Sequence, residues 1–517
     1  MKKIRFAAAL LAVCTSLSSL AACGENTPAV ETTDVPLTTE PAVTEPLDGK
    51  ISFGDLRFTL AGGAKYENGI ITGERNADSN TALCEDVGTL EGCLDIKVKL
   101  TGSTSGGISF KYKNDDRRIF IGFDKRTNTV RITNYTKDGS SLVKSIYCPM
   151  SNEEEITIRI AFRNALIKFL INDTSETAFP LAEMTAPSSS GNGLMLDCGS
   201  GSLQFLSLSL SLSDYVYDTT EGETYVNPIA PGADPYILCW DGKYYLYSTN
   251  SASTGFKVYE SDDLSKWKDK GYCLKKGEAN SPAGSSGFWA PEVYHIDGRF
   301  YMFYVTEENI GIAVADSPLG PFTKYSDGVV FKGTKAIDPH LFIDDDGQMY
   351  LYYVKFGGGN HIYGAKFDLK TCKVTSEKKL LSASLAWETQ MDKVAEGPFI
   401  LKHNSTYYLT YSANHYQSQG YAVGCATSST PLGDFEKCEY NPVLSKNENV
   451  KAVGTGHHSF FTAENGELFI VYHRHNSLTQ VQTRQTCIDR CGFVTDPDGT
   501  ERLVVYGPTS SPQNLPK

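Results

Sequence analysis

The sequence predicts an all-β protein in which an N-terminal β-sandwich is followed by a five-bladed β-propeller. Three observations lead to this fold class. The chain holds 29 Tyr and 25 Phe against seven Met, and aromatic side chains pack well on pleated sheets. Short runs with a period of two cover residues 50–213. After residue 227, one hairpin-like unit occurs five times.

The composition sets the broad class of protein. A chain of 517 residues is too long for one compact core. A hydrophobic fraction of 40% excludes a mainly disordered chain, and a mean hydropathy of −0.27 excludes a protein with many membrane spans. The net charge of −13 would repel a phosphate backbone, so we expect no nucleic-acid partner.

Residues 1–23 have the pattern of a secretion signal, with Lys2, Lys3 and Arg5 before an apolar stretch. The segment ends in Leu20-Ala21-Ala22-Cys23 and resembles a bacterial lipobox. This resemblance implies lipidation of Cys23 and an exported protein anchored at the bacterial cell surface. An ordinary signal peptide that ends in cysteine is the alternative. Residues 24–49 are rich in Thr and Pro and predict an extended linker.

Eleven of the 13 cysteines follow Cys23, so at least one is unpaired. No CxxC pair and no zinc-type Cys/His spacing occurs. Cys84 with Cys93, and Cys487 with Cys491, are candidate disulfides in an exported protein, with buried thiols as the alternative.

Residues 50–213 alternate apolar and polar positions between polar turns, which predicts a β-sandwich. The pattern resembles laminin-G and concanavalin-like jelly rolls. Such modules often bind glycans, so this region is a candidate carbohydrate-binding module, and a spacer domain is the alternative. The acidic, Tyr/Thr-rich residues 214–226 predict a second linker, which places the propeller at residues 227–517.

Each of the five repeated units begins with a polar or Pro-containing head, turns at Asp-Gly, Asn-Gly or an equivalent, and returns as an aromatic strand. The five heads are Asp234-Pro235, Trp289-Ala290-Pro291-Glu292, Asp338-Pro339, Glu396-Gly397-Pro398 and Gly456-His457. Asp-Gly and Asn-Gly favour tight hairpins. Intervals of roughly 50–60 residues leave room for two further strands, as in a propeller blade.

The first strand of a blade usually lines the central channel, so the five heads should meet at one end of it. Asp234, Glu292, Asp338, Glu396 and His457 would then converge. Clustered carboxyl groups raise the pKa of at least one member, and a protonated group beside an ionised one is what glycosidic bond cleavage requires. Asp or Glu before Pro is also a common turn element, but three acidic heads at one phase of a repeat favour a site.

These heads, together with Asn227-Pro228-Ile229 and Gly454-Thr455, resemble glycoside hydrolase family 43 over residues 227–475. The resemblance implies a five-bladed propeller that hydrolyses arabinose- or xylose-containing polysaccharides with inversion. It makes Asp234 the general base, Glu396 the general acid, and Asp338 the residue that orients Glu396 and raises its pKa.

The same resemblance suggests residues around this triad. Trp289, with Phe288 beside it, could stack on a sugar, and packed core is the alternative. Glu292 is expected to tie loops together rather than join the chemistry. His457 matches a channel histidine that in some members helps to hold calcium through water, and a structural histidine is the alternative. No cofactor is required.

Three further predictions concern the rim of the site. Arg474 could hydrogen-bond the substrate or pair with a catalytic carboxylate, and an unrelated salt bridge is the alternative. Ser412, Asn414 and His415 follow the fourth aromatic strand and could line the site.

The sequence therefore predicts an inverting glycoside hydrolase that removes α-L-arabinofuranosyl or β-D-xylosyl residues from arabinan, arabinoxylan or xylan. Two alternatives are a retaining fructan-active propeller and a surface glycan-binding protein without activity. An Asn-Asp-Pro-Asn run and a Glu-Cys pair at the acid position, both expected of the fructan enzymes, are absent.

Overall fold

The computed structural model describes residues 49–102, 106–151, 155–173, 175, 178–212, 223–277 and 284–516, with the backbone alone at 326–328. The predicted signal peptide with Cys23, residues 24–48 and residues 213–222 lie outside this part. Within it the chain forms 38 strands and two 3₁₀ helices, Ala386–Thr389 and Glu448–Val450, which confirms the all-β prediction. No helix among these residues is long and apolar enough to cross a membrane.

The N-terminal region consists of two antiparallel sheets. The first has eight strands, in spatial order β1 (Ile51–Phe53), β2 (Leu56–Gly62), β5 (Asn80–Cys84), β14 (Gly193–Asp197), β7 (Gly107–Asn114), β8 (Arg117–Asp124), β9 (Thr129–Thr136) and β10 (Gly139–Tyr147). The second has seven, in the order β13 (Ala182–Thr185), β12 (Leu166–Ile171), β11 (Glu155–Arg163), β6 (Glu91–Leu100), β15 (Leu203–Ser211), β4 (Ile70–Gly73) and β3 (Ala64–Glu67).

One hydrophobic core lies between these sheets. Alternate residues of β11, which are Ile156, Ile158, Ile160 and Phe162, are at most 1% exposed and pack in this core. Apart from the buried Ala161, the intervening side chains are more exposed, and Arg159 pairs with Asp95 of β6 at 2.7 Å. The period of two in the sequence therefore arises because one face of the strand is buried against the opposite sheet.

The C-terminal region forms five sheets, which are the five predicted blades. The first four blades are β18 (Ala233–Trp240), β19 (Lys243–Thr249), β20 (Gly255–Ser261) and β21 (Lys268–Lys275); β22 (Trp289–Ile296), β23 (Arg299–Thr306), β24 (Asn309–Ala315) and β25 (Thr323–Val329); β26 (Ile337–Ile343), β27 (Met349–Phe356), β28 (Asn360–Asp368) and β29 (Lys373–Ser382); and β30 (Ala395–His403), β31 (Thr406–Ala413), β32 (Ala422–Ser428) and β33 (Glu436–Lys437).

The inner hairpin of each blade follows from its turn sequence. At Asp241-Gly242 and at Asp297-Gly298, both turn residues have positive φ, between 49° and 80°. Such turns match the twist of the flanking strands. The aromatic second strands are almost fully buried, as shown by Tyr247, Tyr304, Tyr352, Tyr411 and Tyr472, each 0% exposed.

The fifth blade closes the ring with strands from both ends of the region. It contains β34 (Gly456–Thr462), β35 (Leu468–Arg474) and β36 (Gln485–Thr495), and β36 also pairs with β17 (Ala230–Pro231) and β37 (Glu501–Val505). A separate ladder joins β16 (Thr224–Tyr225) to β38 (Gln513–Asn514). Residues 224–225, predicted as linker from the sequence, thus belong to the closure of the propeller.

A buried carboxylate connects the sandwich to the propeller. Glu183 of β13 is 1% exposed, and its Oε1 accepts hydrogen bonds from the backbone N–H groups of Ser510 at 2.6 Å and Ser511 at 2.8 Å. The Ser511 hydroxyl donates to Oε2 of the same side chain. Asn447 Nδ2 donates to the Glu183 carbonyl at 2.9 Å. The C-terminal segment is therefore held by a residue of the sandwich.

Neither candidate disulfide is formed. Cys487 and Cys491 lie four residues apart on β36, which places their Cα atoms about 13 Å apart, too far for a disulfide. The Cys84 thiol donates to the Asp86 carbonyl at 3.2 Å. Cys84, Cys487 and Cys491 are buried free thiols, and burial raises the pKa of each one.

Candidate active site

The first strands of all five blades begin with the same backbone geometry. Asp234, Ala290, Asp338, Gly397 and His457 have φ values between 44° and 55°, and the strand pairing is irregular at each of them. This conformation is uncommon for residues other than Gly. All five residues line one narrow cavity at the end of the propeller where these first strands begin, and we call that end the mouth.

The heads therefore converge as predicted, but two of the acidic residues do not occupy the positive-φ position of the repeat. Glu396 precedes the positive-φ residue of its blade, and Glu292 follows that of blade 2 by two positions. In a strand, one position changes the face on which a side chain lies. Glu292 lines the channel and lies 3.0 Å from His340 Nδ1 of blade 3, and it also accepts from the Tyr294 hydroxyl.

Asp234 is surrounded by nitrogen atoms. Its Oδ1 lies 3.1 Å from Arg484 Nη1, 3.3 Å from His457 Nδ1 and 3.4 Å from His473 Nδ1. Burial alone would raise the pKa of this carboxyl, but the Arg484 guanidinium and His457 outweigh it and hold the pKa well below its usual range. Asp234 is therefore a carboxylate throughout the neutral range.

The pKa values of the two histidines beside Asp234 are shifted in opposite directions. Burial and the Arg484 guanidinium lower the pKa of His473 to about 3, so this ring is neutral. Burial alone would lower the pKa of His457, but Asp234, Asp338 and Glu396 raise it above its ordinary value. His457 is therefore protonated more readily than a free imidazole.

Glu396 receives hydrogen bonds from two directions. The Tyr421 hydroxyl donates to Oε1 at 2.8 Å, and Asn360 Nδ2 donates to Oε2 at 3.1 Å. Asn360 begins the third strand of blade 3, and Tyr421 directly precedes the third strand of blade 4. Both carboxyl oxygens thus have a fixed orientation at the mouth.

Asp338 lies beside Glu396 and is 6% exposed. Its Oδ2 accepts a hydrogen bond from the Gly397 backbone N–H at 3.1 Å. Burial raises the pKa of Asp338 to about 7, against the opposing charge of His457 and with the help of the Glu396 and Asp234 carboxylates. Asp338 is therefore protonated below about pH 7, where it adds no negative charge beside Glu396.

The two aromatic residues predicted to bind substrate, Phe288 and Trp289, differ in how deeply they are buried. Phe288 is 1% exposed and packs between Phe256 and Tyr304 at ring distances of 5.9 and 6.2 Å. It is a core residue, so the prediction that it contacts substrate is wrong. Trp289 is half-buried against the core shared by blades 3 and 4, and its stacking on a sugar stays a prediction.

Arg474 does not pair with a catalytic carboxylate. Its Nη1 lies 3.5 and 3.4 Å from the carbonyl oxygens of Val450 and Lys451. The arginine that pairs with Asp234 is Arg484, ten residues later, whose guanidinium also lies 4.8 Å from the centre of the Tyr416 ring. A role for Arg474 in substrate binding stays a prediction.

Of the three rim candidates, Ser412 contacts the site directly. Its hydroxyl accepts from the His457 backbone N–H at 2.7 Å and lies 3.3 Å from His458 Nδ1. Asn414 is 0% exposed, and its Oδ1 accepts from the Met391 N–H at 2.8 Å. His415 Nδ1 accepts from the Gln417 N–H at 3.2 Å. The last two shape the adjoining loops.

A metal ion would need water to complete its coordination. Among the described residues, no group of three or more His, Cys, Asp or Glu side chains could hold a metal ion. His457 Nδ1 is engaged with Asp234, while the buried His340 Nε2 has no hydrogen-bond partner in the part of the chain that the structure describes. A water-mediated calcium at His457 stays a prediction.

Sequence reasoning missed Arg484, Tyr421, Asn360 and His473. Arg484 and Tyr421 occupy one repeated position, immediately before the third strand of a blade, where the chain returns to the mouth. That position is the signal by which they could have been found, once the repeat had been extended beyond the first hairpin.

Comparison with known proteins agrees with this geometry. The family model described as "Glycosyl hydrolases family 43" matches residues 225–500, more than half of the chain. A β-D-galactofuranosidase of Aspergillus niger is 30% identical over 318 residues, which cover 56% of this chain and 88% of that protein. An arabinoxylan arabinofuranohydrolase of Paenibacillus polymyxa is 29% identical over 289 residues, 47% of this chain and 44% of that protein.

Among solved structures, an endo-1,4-β-xylanase of Bacteroides thetaiotaomicron is 39% identical with a TM-score of 0.51 and covers 55% of this chain and 97% of its own. A five-bladed propeller whose mouth gathers three carboxyl groups, one held ionised and one keeping its proton near neutral pH, suits the cleavage of glycosidic bonds, and the family match shows that the protein is a glycoside hydrolase. The chain belongs to glycoside hydrolase family 43.

Proposed function

We propose that this enzyme hydrolyses terminal α-L-arabinofuranosyl or β-D-xylosyl linkages of plant cell-wall polysaccharides, with inversion at the anomeric carbon. The observation that carries the proposal is the opposite surroundings of two carboxyl groups at the mouth. Arg484 and His457 hold Asp234 ionised. Burial keeps Asp338, which lies beside Glu396, protonated up to about pH 7.

In the proposed reaction, Asp234 is the general base. It takes a proton from a water molecule as the water oxygen bonds to the anomeric carbon. The bond from this carbon to the leaving oxygen breaks, and Glu396 donates its proton to that oxygen. Because the base gains one proton and the acid loses one, the pair must exchange protons with solvent before the next turnover.

Asp338 is the positioning residue in this scheme. It accepts the N–H of Gly397, the residue directly after Glu396, and so fixes the backbone that carries the acid. Tyr421 and Asn360 complete the orientation, since each holds one oxygen of the Glu396 carboxyl group.

The proposed substrate rests on chemistry and relatives together. The chain has a net charge of −13, and the three carboxyl groups at the mouth disfavour an anionic ligand. Two of the similar proteins are named for furanosides and one for xylan. A neutral pentose polymer fits both observations. We further propose the bacterial cell surface as the location, through the lipid on Cys23; a Cys23→Ala protein still held at the membrane would contradict this.

The test uses residues 50–517 and the matched Glu396→Gln variant, which keeps the shape of the side chain and removes the acid. Each is incubated with arabinan, arabinoxylan, xylan and levan, and the released sugars are resolved by chromatography. Arabinose or xylose from the wild type, with at least a hundredfold lower rate in Glu396→Gln, supports the proposal. Fructose, or no product from any polymer, contradicts it.

A further inference from the structure

An exposed aromatic side chain lies at the mouth close to the proposed acid. Phe356 is the last residue of β27 and is 44% exposed, although the two preceding residues of the same face, Tyr352 and Val354, are 0% exposed. Those two pack in the core shared with blade 4. Phe356 therefore continues a buried face beyond its core and leaves nearly half of its own surface exposed.

The direction of this side chain follows from strand alternation. Lys355, the preceding residue, points to the other face, where its Nζ lies 5.3 Å from the centre of the Phe331 ring. Phe356 is paired directly with Asn360 across the β27–β28 hairpin. Directly opposed residues share one face of a sheet, with Cβ atoms about 5 Å apart.

Asn360 links this face to the reacting groups, because its Nδ2 donates to Glu396 Oε2 at 3.1 Å. One side chain thus separates the Phe356 ring from the proposed acid. The acid must lie on the side of the sugar where the leaving oxygen departs. Phe356 is accordingly on the leaving-group side of the scissile bond.

The turn between these two residues keeps the ring uncovered. Gly357, Gly358 and Gly359 form it, and a Cβ added at Gly358 would meet nothing within 4 Å. Opposite the turn, the Asn360 N–H donates to the Lys393 carbonyl at 3.0 Å. The Phe356 ring thus lies beside a glycine turn that supplies no side chain to cover it.

We propose that Phe356 forms a subsite for the first sugar on the leaving-group side, where it stacks against the apolar face of a xylopyranosyl ring of the polymer backbone. Pyranose rings present C–H groups on such a face, and an aromatic ring buries them. This inference rests on the proposed function of Glu396. It identifies the sugar to which the released unit is attached.

The experiment compares substrates that fill this subsite with substrates that cannot. Arabinoxylan and xylo-oligosaccharides carry a xylosyl ring on the leaving side, whereas α-L-arabinofuranosyl fluoride and β-D-xylosyl fluoride carry a single atom. Phe356→Ala should lower kcat/KM on the first pair about five- to tenfold, the effect of burying roughly half of a phenyl side chain. The rate on the fluorides should change less than twofold.

Ile343→Ala is the matched control. Ile343 is 41% exposed and ends β26 of the same blade, about 20 Å from the mouth. It should leave both rates unchanged. Equal losses on fluorides and polymers in Phe356→Ala would overturn the subsite, and so would a loss on arabinan that spares arabinoxylan.

A binding measurement separates failure of this inference from failure of the proposed function. Electrophoresis of Glu396→Gln through gels containing arabinoxylan should show retardation, and Glu396→Gln/Phe356→Ala should lose most of it. If the wild type hydrolyses none of the substrates but Phe356 still determines this retardation, the subsite stands and the proposed activity fails. Retardation that is equal in both variants contradicts the subsite.

Discussion

Replacing Arg484 by glutamine removes the cation nearest to the proposed base. Its Nη1 lies 3.1 Å from Asp234 Oδ1, and both side chains are nearly buried, with 13% and 7% exposed. At an effective dielectric constant of about 20, two unit charges at this distance attract by about 5 kcal/mol. His457 remains in place and water can enter the space left by the guanidinium. We therefore expect the pKa of Asp234 to rise by about 1 to 3 units.

The direction of the pKa change at Asp234 determines which part of the pH profile to measure. Asp234 acts as a base only when ionised, so activity is lost as pH falls through its pKa. The acidic limb of the pH profile of kcat/KM, which reports groups of the free enzyme, should move upward by about 1 to 3 pH units in Arg484→Gln. Suitable substrates are 4-nitrophenyl α-L-arabinofuranoside and β-D-xylopyranoside, because 4-nitrophenolate leaves with little help from an acid.

Arg474→Gln provides the control for this experiment. It removes a guanidinium from the neighbouring strand, where the side chain contacts backbone carbonyls and not Asp234. The acidic limb should keep its position in this variant, whatever happens to KM. If the limb also stays in place in Arg484→Gln, while circular dichroism shows a folded protein, Arg484 is not the group that keeps Asp234 ionised.

Two further predictions concern the proton on Asp338 and the contact between the sandwich and the propeller. Burial raises the folded-state pKa of Asp338 to about 7, so Asp338 holds its proton below this pH and loses it above; kcat/KM of the wild type should fall above about pH 7, where Asp338 ionises beside Glu396, and Asp338→Asn, which cannot ionise, should lack this alkaline limb. An unchanged limb in Asp338→Asn would exclude Asp338 as its origin. Glu183→Ala leaves buried donors of Ser510 and Ser511 without an acceptor and should lower the free energy of unfolding in urea by about 3 to 5 kcal/mol; Glu183→Gln, which keeps one acceptor oxygen, should cost less, and a loss below about 1 kcal/mol in the alanine variant would contradict the role of this contact.

The fold was predictable because its signals are local. Asp-Gly and Asn-Gly turns mark the inner hairpins, and the alternation in β11 marks a sandwich face. The outer strands and the closure by β16 and β17 had no recognisable pattern in the sequence, since strands of two residues are too short to show periodicity. Their positions are set by pairing with β36 and β38, which are more than 250 residues away.

The part of the site that lies on the first strands of the blades was predictable from the sequence. Asp234, Asp338 and His457 share one phase of the repeat and meet at the mouth. Phe288 was misassigned because an aromatic residue beside a head looks the same in sequence whether it faces a core or a ligand. Arg474 was preferred to Arg484 because it ends an aromatic strand, whereas Arg484 follows a loop whose course only the tertiary structure determines.

The five equivalent positions at the mouth have a consequence for how this enzyme could change. Asp234 and Asp338 occupy the same position of the repeat on different blades, and Glu396 lies one residue before that position on its own blade. Their separation is therefore a property of rotational symmetry, since each blade is turned by a fifth of a circle from the next. Residues at the outer ends of other strands, such as Phe356 at the end of β27, are free of this constraint. Substitutions there can alter which polymer is accepted while the spacing of the reacting groups is preserved.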